Sequence, residues 1–168
     1  MACKVGNVGV GFWAERLVEL LREKKMTFAT AESCTGGAIS QAVTAVAGCS
    51  DVMRGAVVAY HNDVKVAVLG VQRALLEEYG AVSEAVVREM VCGVCGLFGA
   101  DCAVATSGIA GPGGGTDEKP VGTVWTAVKI KDVVVVDLLR LQDRGREENI
   151  RNTVAKVLEM VVGKLELW

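Results

Sequence analysis

A chain of 168 residues, half of them apolar and 23% charged, with a formal net charge of −2, is long enough to bury about two-thirds of its unfolded surface around one core. That balance gives no general electrostatic ground for binding nucleic acid or an anionic membrane. No run approaches the roughly 18 uncharged apolar residues of a spanning helix. The start, MACKVGNVGVGFWAERL, meets Glu15 and Arg16 before a leader's apolar centre forms, so a soluble, cytoplasmic protein is expected.

In chain order, residues 12–25 place Trp13, Leu17, Leu20 and Leu21 on one face at helical spacing, with charges opposite. MTFAT (26–30) is too short for a helix and runs into AESCTGG, after which Gly37 to Val46 reads as a second helix. Gly55 to Tyr60, GAVVAY, is a short β-branched strand, and HNDVKVAVLGV turns into a short helix. Gly80 marks a turn, and Ser83 is the expected N-cap of the next helix with Glu84 in its first turn. Ala103 to Thr106 is a buried strand entering a glycine-rich loop. Gly122–Ile130 and Val133–Leu141 form a hairpin turning near Lys131 and Asp132, and ENIRNTVAKVLEMVVGKL closes the chain as an amphipathic helix. This interleaving predicts one domain over 1–168, with its core at about 13–165: a three-layer α/β/α sandwich on a mixed, mostly parallel sheet that includes the C-terminal hairpin.

Two strand-to-loop junctions on parallel strands bring both loops to the sheet edge where open α/β folds bind ligands. At the first, Ser33 ends a strand with small residues and glycines behind it. Its hydroxyl is lifted out of the sheet, and the N–H groups from Cys34 through Thr35 and Gly36 to Gly37 are candidates to hold an oxyanion or a phosphate. Capping of the helix by Ser33 or Thr35 is the plainer reading. At the second junction, Ser107 to Val121 holds five glycines and both prolines, which lets backbone approach a ligand closely, although it matches neither GxxxxGK[ST] nor GxGxxG.

The single histidine, His61, is thin support for a Ser-His-Asp triad. A serine is also activated by a lysine whose pKa burial lowers, sometimes with a tyrosine hydroxyl, and Tyr60 and Lys65 in YHNDVK stand one strand away. Surface roles are the alternatives for that pair, and Asn62, a candidate contact to substrate, is equally a helix cap. Six cysteines in a chain with a large apolar core suit reduced thiols, and Cys92 and Cys95 of CGVC lie inside an apolar helical run, as packing residues rather than a redox or zinc pair.

Taken together and in order, AESCTGG (31–37), VVAYHNDVK (57–65), GAVSEAVV (80–87) and SGIAGPGGGTDEKPVGTVW (107–125) resemble the C-terminal domain of the competence/damage-inducible protein CinA, from about Trp13 to Leu158. Stand-alone versions of that domain are nicotinamide-nucleotide amidases. The resemblance implies hydrolysis of nicotinamide mononucleotide (NMN) to nicotinic acid mononucleotide and ammonia in pyridine-nucleotide recycling. It implies Ser33 as nucleophile, Lys65 as principal base and Tyr60 as an orienting or relaying group. Ser107 would assist the leaving group, while Gly108, Ala110 and Gly111 would offer amides to the oxyanion or phosphate. No cofactor and no metal are expected, and the resemblance implies a homo-oligomer, dimer or higher.

Two departures stand out. The family's Gly-Asp-Arg stretch is altered here to LQDRGREENIR, which leaves open whether Arg144, Arg146 or Arg151 takes its arginine role. The metal-dependent pyrophosphatase domain that precedes the motifs in full-length members has no counterpart in these residues. A non-catalytic nucleotide-binding module, tied to competence or DNA damage, is the alternative function, and a thiol enzyme using Cys34 is disfavoured by the serine beside it.

Overall fold

The computed structural model describes residues 9–168. The expectation that no leader is present rests largely on residues 1–8 and lies outside the described residues. The chain runs α1 (Val10–Glu23), β1 (Phe28–Glu32), α2 (Ala38–Thr44), a single 3₁₀ turn (Cys49–Asp51), β2 (Met53–Val58), α3 (Asn62–Leu69), α4 (Arg73–Tyr79), α5 (Glu84–Phe98), β3 (Cys102–Gly108), β4 (Thr123–Ile130), β5 (Val133–Arg140) and α6 (Arg146–Glu166). Among the described residues, no helix is long and apolar enough to cross a membrane.

The strands lie side by side in the order β2-β1-β3-β4-β5. β1 is parallel to both β2 and β3, whereas β4 and β5 run antiparallel as a hairpin. The sheet is therefore mixed as expected, but parallel only over its first three strands. α4 and the 3₁₀ turn were not expected; the turn at Gly80 (φ 75°) was, and residues 80–83 separate α4 from α5. β2 starts two residues earlier than its β-branched stretch and stops at Val58, leaving Tyr60 outside the strand.

Side-chain alternation along β1 decides which layer each residue joins. Phe28 points to the face covered by α1, α2 and α6, where Leu17, Leu21, Ile39, Val157, Leu158 and Val161 are buried around it. Ala29 and Ala31 point to the opposite face with Ala103, Ala105 and Ala127, and there Val87, Met90, Val91 and Val94 of α5 cover them. Alanines let α5 sit close to the sheet. A glycine then lets α3 sit close to α5: a Cβ on Gly93 would overlap the carbonyl oxygen of Leu69 and lie 2.8 Å from its carbonyl carbon. Gly93→Ala is therefore expected to destabilise the fold despite alanine's better helix propensity. Overpacking of this kind costs about 1–3 kcal/mol, which corresponds to a fall of roughly 4–8 °C in Tm per 2 kcal/mol, readable by thermal denaturation. A Tm unchanged or raised would mean that α3 can slide freely.

Local signals close the elements as the sequence suggests. Ser83 caps α5, its hydroxyl accepting from the Val86 N–H at 3.4 Å and donating to the Gly80 carbonyl at 2.9 Å. The β4–β5 hairpin turns at Lys131 and Asp132, with Lys131 at φ 51°.

Candidate active site

Because β1 and β3 are adjacent and parallel, both end at the same edge, and the turns that leave them face each other. A cavity of about 260 Å³ opens there. From the first turn it is lined by Ser33 and Cys34, from the β2–α3 segment by Tyr60, Asn62 and Lys65, and from the second loop by Ser107, Gly108, Ala110 and Gly111. Nine of the twelve predicted site residues thus share one cavity, joined by Arg146 from the start of α6. Thr35, Gly36 and Gly37 do not line it.

Two of them, Thr35 and Gly37, are held from behind by a residue the sequence reading missed. Glu32, fully buried, faces α2 because it shares the parity of Phe28 on β1. Its Oε2 accepts from the Thr35 hydroxyl (2.7 Å) and from the N–H groups of Gly37 (3.1 Å) and Ile39 (3.0 Å). Its Oε1 accepts from the Ser40 N–H (2.8 Å) and the Thr30 hydroxyl (3.1 Å). The start of α2, expected to cradle an external anion, is occupied by this internal carboxylate. The Gly36 N–H is likewise used, on the Ser33 carbonyl. Among the described residues the N–H groups of Cys34 and Thr35 meet no protein acceptor, so the oxyanion-binding capacity of the turn narrows to these two.

Ser33 is half-buried, and its N–H donates to the Thr106 carbonyl at 3.1 Å, fixing the turn to β3. Thr35 adds a second tie, its hydroxyl 2.9 Å from that of Thr106. The adjacent Cys34 thiol is pushed up to about 12 by burial, with the nearby Glu32 carboxylate adding to the effect. It is a poor thiolate donor.

Lys65 is 1% exposed. Its Nζ donates to the Tyr60 carbonyl and the Asn62 Oδ1, each at 3.4 Å, and both acceptors are neutral. Burial holds its pKa below the ordinary lysine value, favouring the neutral amine. Asn62 serves as this lysine's partner; the cap of α3 is His61, whose Nδ1 accepts from the Asp63 N–H at 3.2 Å while the ring stands mostly in solvent. Tyr60 is exposed, and its phenol oxygen accepts from Arg146 Nη2 at 2.6 Å, so the atom that Lys65 touches is the Tyr60 carbonyl rather than the hydroxyl.

The glycine-rich loop is gripped by its carbonyls. Arg146 Nη1 donates to the Gly111 carbonyl at 2.8 Å, and the buried Asn149 donates to the Ala110 carbonyl at 3.0 Å and to Asp143 at 2.9 Å. Among the described residues, the N–H groups of Ala110, Gly111, Gly113 and Gly114 find no protein acceptor. Ser107 is buried, with its hydroxyl donating to the Ala81 carbonyl at 2.7 Å, and Gly108 is pressed against β4, where a Cβ would stand 2.6 Å from Val124 Cγ2. Of the three arginines left open by the altered stretch, Arg146 reaches the cavity, while Arg151 pairs with Glu148 and Arg144 turns to Gln142. Cys92 is exposed and Cys95 buried on α5, both as free thiols. Among the described residues, no cluster of three or more His, Cys, Asp or Glu could hold a metal ion.

The fold has close counterparts. The model of the CinA C-terminal domain matches residues 12–165. A CinA-like protein of Cytophaga hutchinsonii is 47% identical over 148 residues, which cover 88% of this chain and 35% of that protein. The chain spans about a third of the length of the curated relatives it matches. The crystal structure of a competence/damage-inducible protein from Agrobacterium tumefaciens superposes with a TM-score of 0.91 at 40% identity, over 99% of each chain. A CinA superfamily protein from Klebsiella pneumoniae gives a TM-score of 0.92 at 34% identity, over 96% of this chain and all of that one. With the four motifs, the mixed five-stranded sheet and the match along nearly its whole length agreeing, the chain belongs to the CinA C-terminal domain family.

Proposed function

We propose that this domain is an amidase that hydrolyses the carboxamide of NMN to nicotinic acid mononucleotide and ammonia. The observation that carries the reading is the convergence, on one cavity, of a strand-end serine, a buried lysine with neutral partners and Cys34, whose backbone amide is unengaged, as is that of Thr35 next to it. A pure binding module has no need of a buried lysine whose proton affinity is lowered beside a serine.

In this reading neutral Lys65 removes the proton as Ser33 Oγ attacks the amide carbon, and the N–H groups of Cys34 and Thr35 receive the oxyanion. The C–N bond then breaks, Lys65 returns its proton to the leaving nitrogen, and ammonia departs. Water, deprotonated by the same lysine, attacks the Ser33 ester; the C–Oγ bond breaks, Lys65 returns the proton to Ser33 Oγ, and nicotinic acid mononucleotide is freed. The 5′-phosphate suits the unengaged N–H groups of Ala110, Gly111, Gly113 and Gly114, in the loop that Arg146 holds by the Gly111 carbonyl.

Ammonia release from NMN by the purified protein, with and without chelator, tests the reading. Chelator-resistant release supports it, and its absence from folded protein would favour non-catalytic nucleotide binding. Arg146→Ala, compared in the same assay, is expected to raise KM by about 10–100-fold with a smaller change in kcat, the scale of one charge-assisted hydrogen-bonded contact. An unaltered KM would remove Arg146 from the substrate.

A further inference from the structure

We infer that Glu32 is a positioning residue for this reaction, acting through the turn that carries the nucleophile. The inference rests on the serine-amidase reading above. Five groups donate to the two oxygens of Glu32, from three places in the chain: Thr30 on β1, Thr35 in the turn, and Gly37, Ile39 and Ser40 at the start of α2. The carboxylate therefore staples the strand before Ser33 to the helix after it. Ser33 through Gly36 must bridge those fixed ends, with Thr106 holding the same turn from β3.

The staple also determines which amides remain for chemistry. Glu32 takes the N–H groups of Gly37, Ile39 and Ser40, and the Ser33 carbonyl takes that of Gly36. What is left is the pair Cys34 and Thr35, adjacent to the Ser33 hydroxyl. Without the carboxylate, the amides of α2 compete for the developing oxyanion and the turn is free to re-aim. Every partner donates, which suits an acceptor-only carboxylate. Glutamine at this position turns an NH₂ toward a donor, whichever way its amide lies, so it tests the electrostatics with little change in shape.

Glu32→Gln is expected to lower kcat for NMN at least 100-fold while KM and the affinity for nicotinic acid mononucleotide stay within about threefold, because the staple lies behind the turn and off the substrate. Labelling of Ser33 by a fluorophosphonate, in which an Oγ–P bond forms and fluoride leaves, should slow by a similar factor, and this readout does not depend on NMN. Equal kcat and equal labelling in folded Glu32→Gln would overturn the inference. So would a parallel loss of kcat, product affinity and thermal stability, since that marks a merely structural residue. Should Glu32→Gln fail to fold, Thr35→Val removes one donor and leaves the carboxylate in place: a fall of about tenfold in kcat and labelling supports the staple, and unchanged rates overturn it. Wild-type protein that labels at Ser33 but releases no ammonia from NMN would refute the substrate, and the labelling ratio would then decide Glu32 alone.

Discussion

Replacing Ser33 by alanine is expected to lower kcat for ammonia release by at least about 10³-fold while leaving the affinity for nicotinic acid mononucleotide almost unchanged. The serine is half-buried at a turn whose ties run through its backbone and through Glu32, so removing the hydroxyl leaves the cavity standing. Cys34, one residue away and lining the same cavity, cannot substitute. With its thiol pushed up to about 12 by burial, it stays protonated at neutral pH. Surviving activity in Ser33→Ala would sink the serine mechanism, and its loss on further replacement of Cys34 would name the thiol instead.

The second large effect belongs to Lys65. Lys65→Met keeps the length and apolar bulk of the side chain but removes the base, and kcat is expected to fall by at least about 10³-fold. The wild-type pH profile should show an acid limb, since the base works only when neutral, with a midpoint below the ordinary lysine value of 10.5 because burial lowers it. The sign of the stability effect follows from the same shift. With its pKa lower folded than unfolded, Lys65 binds fewer protons in the folded state across the interval between the two values. Stability therefore rises with pH through that interval, and below it the cost of the buried ammonium is fully present. Lys65→Met escapes that cost, so its Tm at neutral pH should equal or exceed that of the wild type. A variant that loses both activity and stability would instead point to a structural role for the ammonium.

Much of this arrangement was legible in the sequence, where local chemistry decides. The strand-to-helix handover at AESCTGG, the Ser83 cap and the two-residue hairpin turn at Lys131 and Asp132 are each fixed by a few neighbours in the chain. The Tyr60–Lys65 segment was found for the same reason. Glu32 escaped because an acidic residue in a five-residue strand carries no periodic signal, and its role appears only when α2 folds back over it. Asn149 escaped likewise: in LQDRGREENIR it is one polar residue among many, and only the packing of α6 against the glycine loop buries it. The choice among Arg144, Arg146 and Arg151 depends on where α6 begins, with Arg144 before it, Arg146 its first residue and Arg151 more than a turn along, and the altered stretch does not mark that start.

The alanine layer beneath α5 has one further consequence, for how the domain tolerates change. Its thinness sets how near α5 lies to the sheet, the Gly93 contact sets how near α3 lies to α5, and α3 carries Lys65. The burial that lowers the Lys65 pKa thus depends on interlayer spacing. A methyl group or two added at Ala103 or Ala105, remote from substrate, would lift this stack, let water reach the ammonium and return its pKa toward that of a free lysine. Side-chain volume in the hydrophobic interior on this side of the sheet therefore bears on the ionisation of Lys65 as well as on stability.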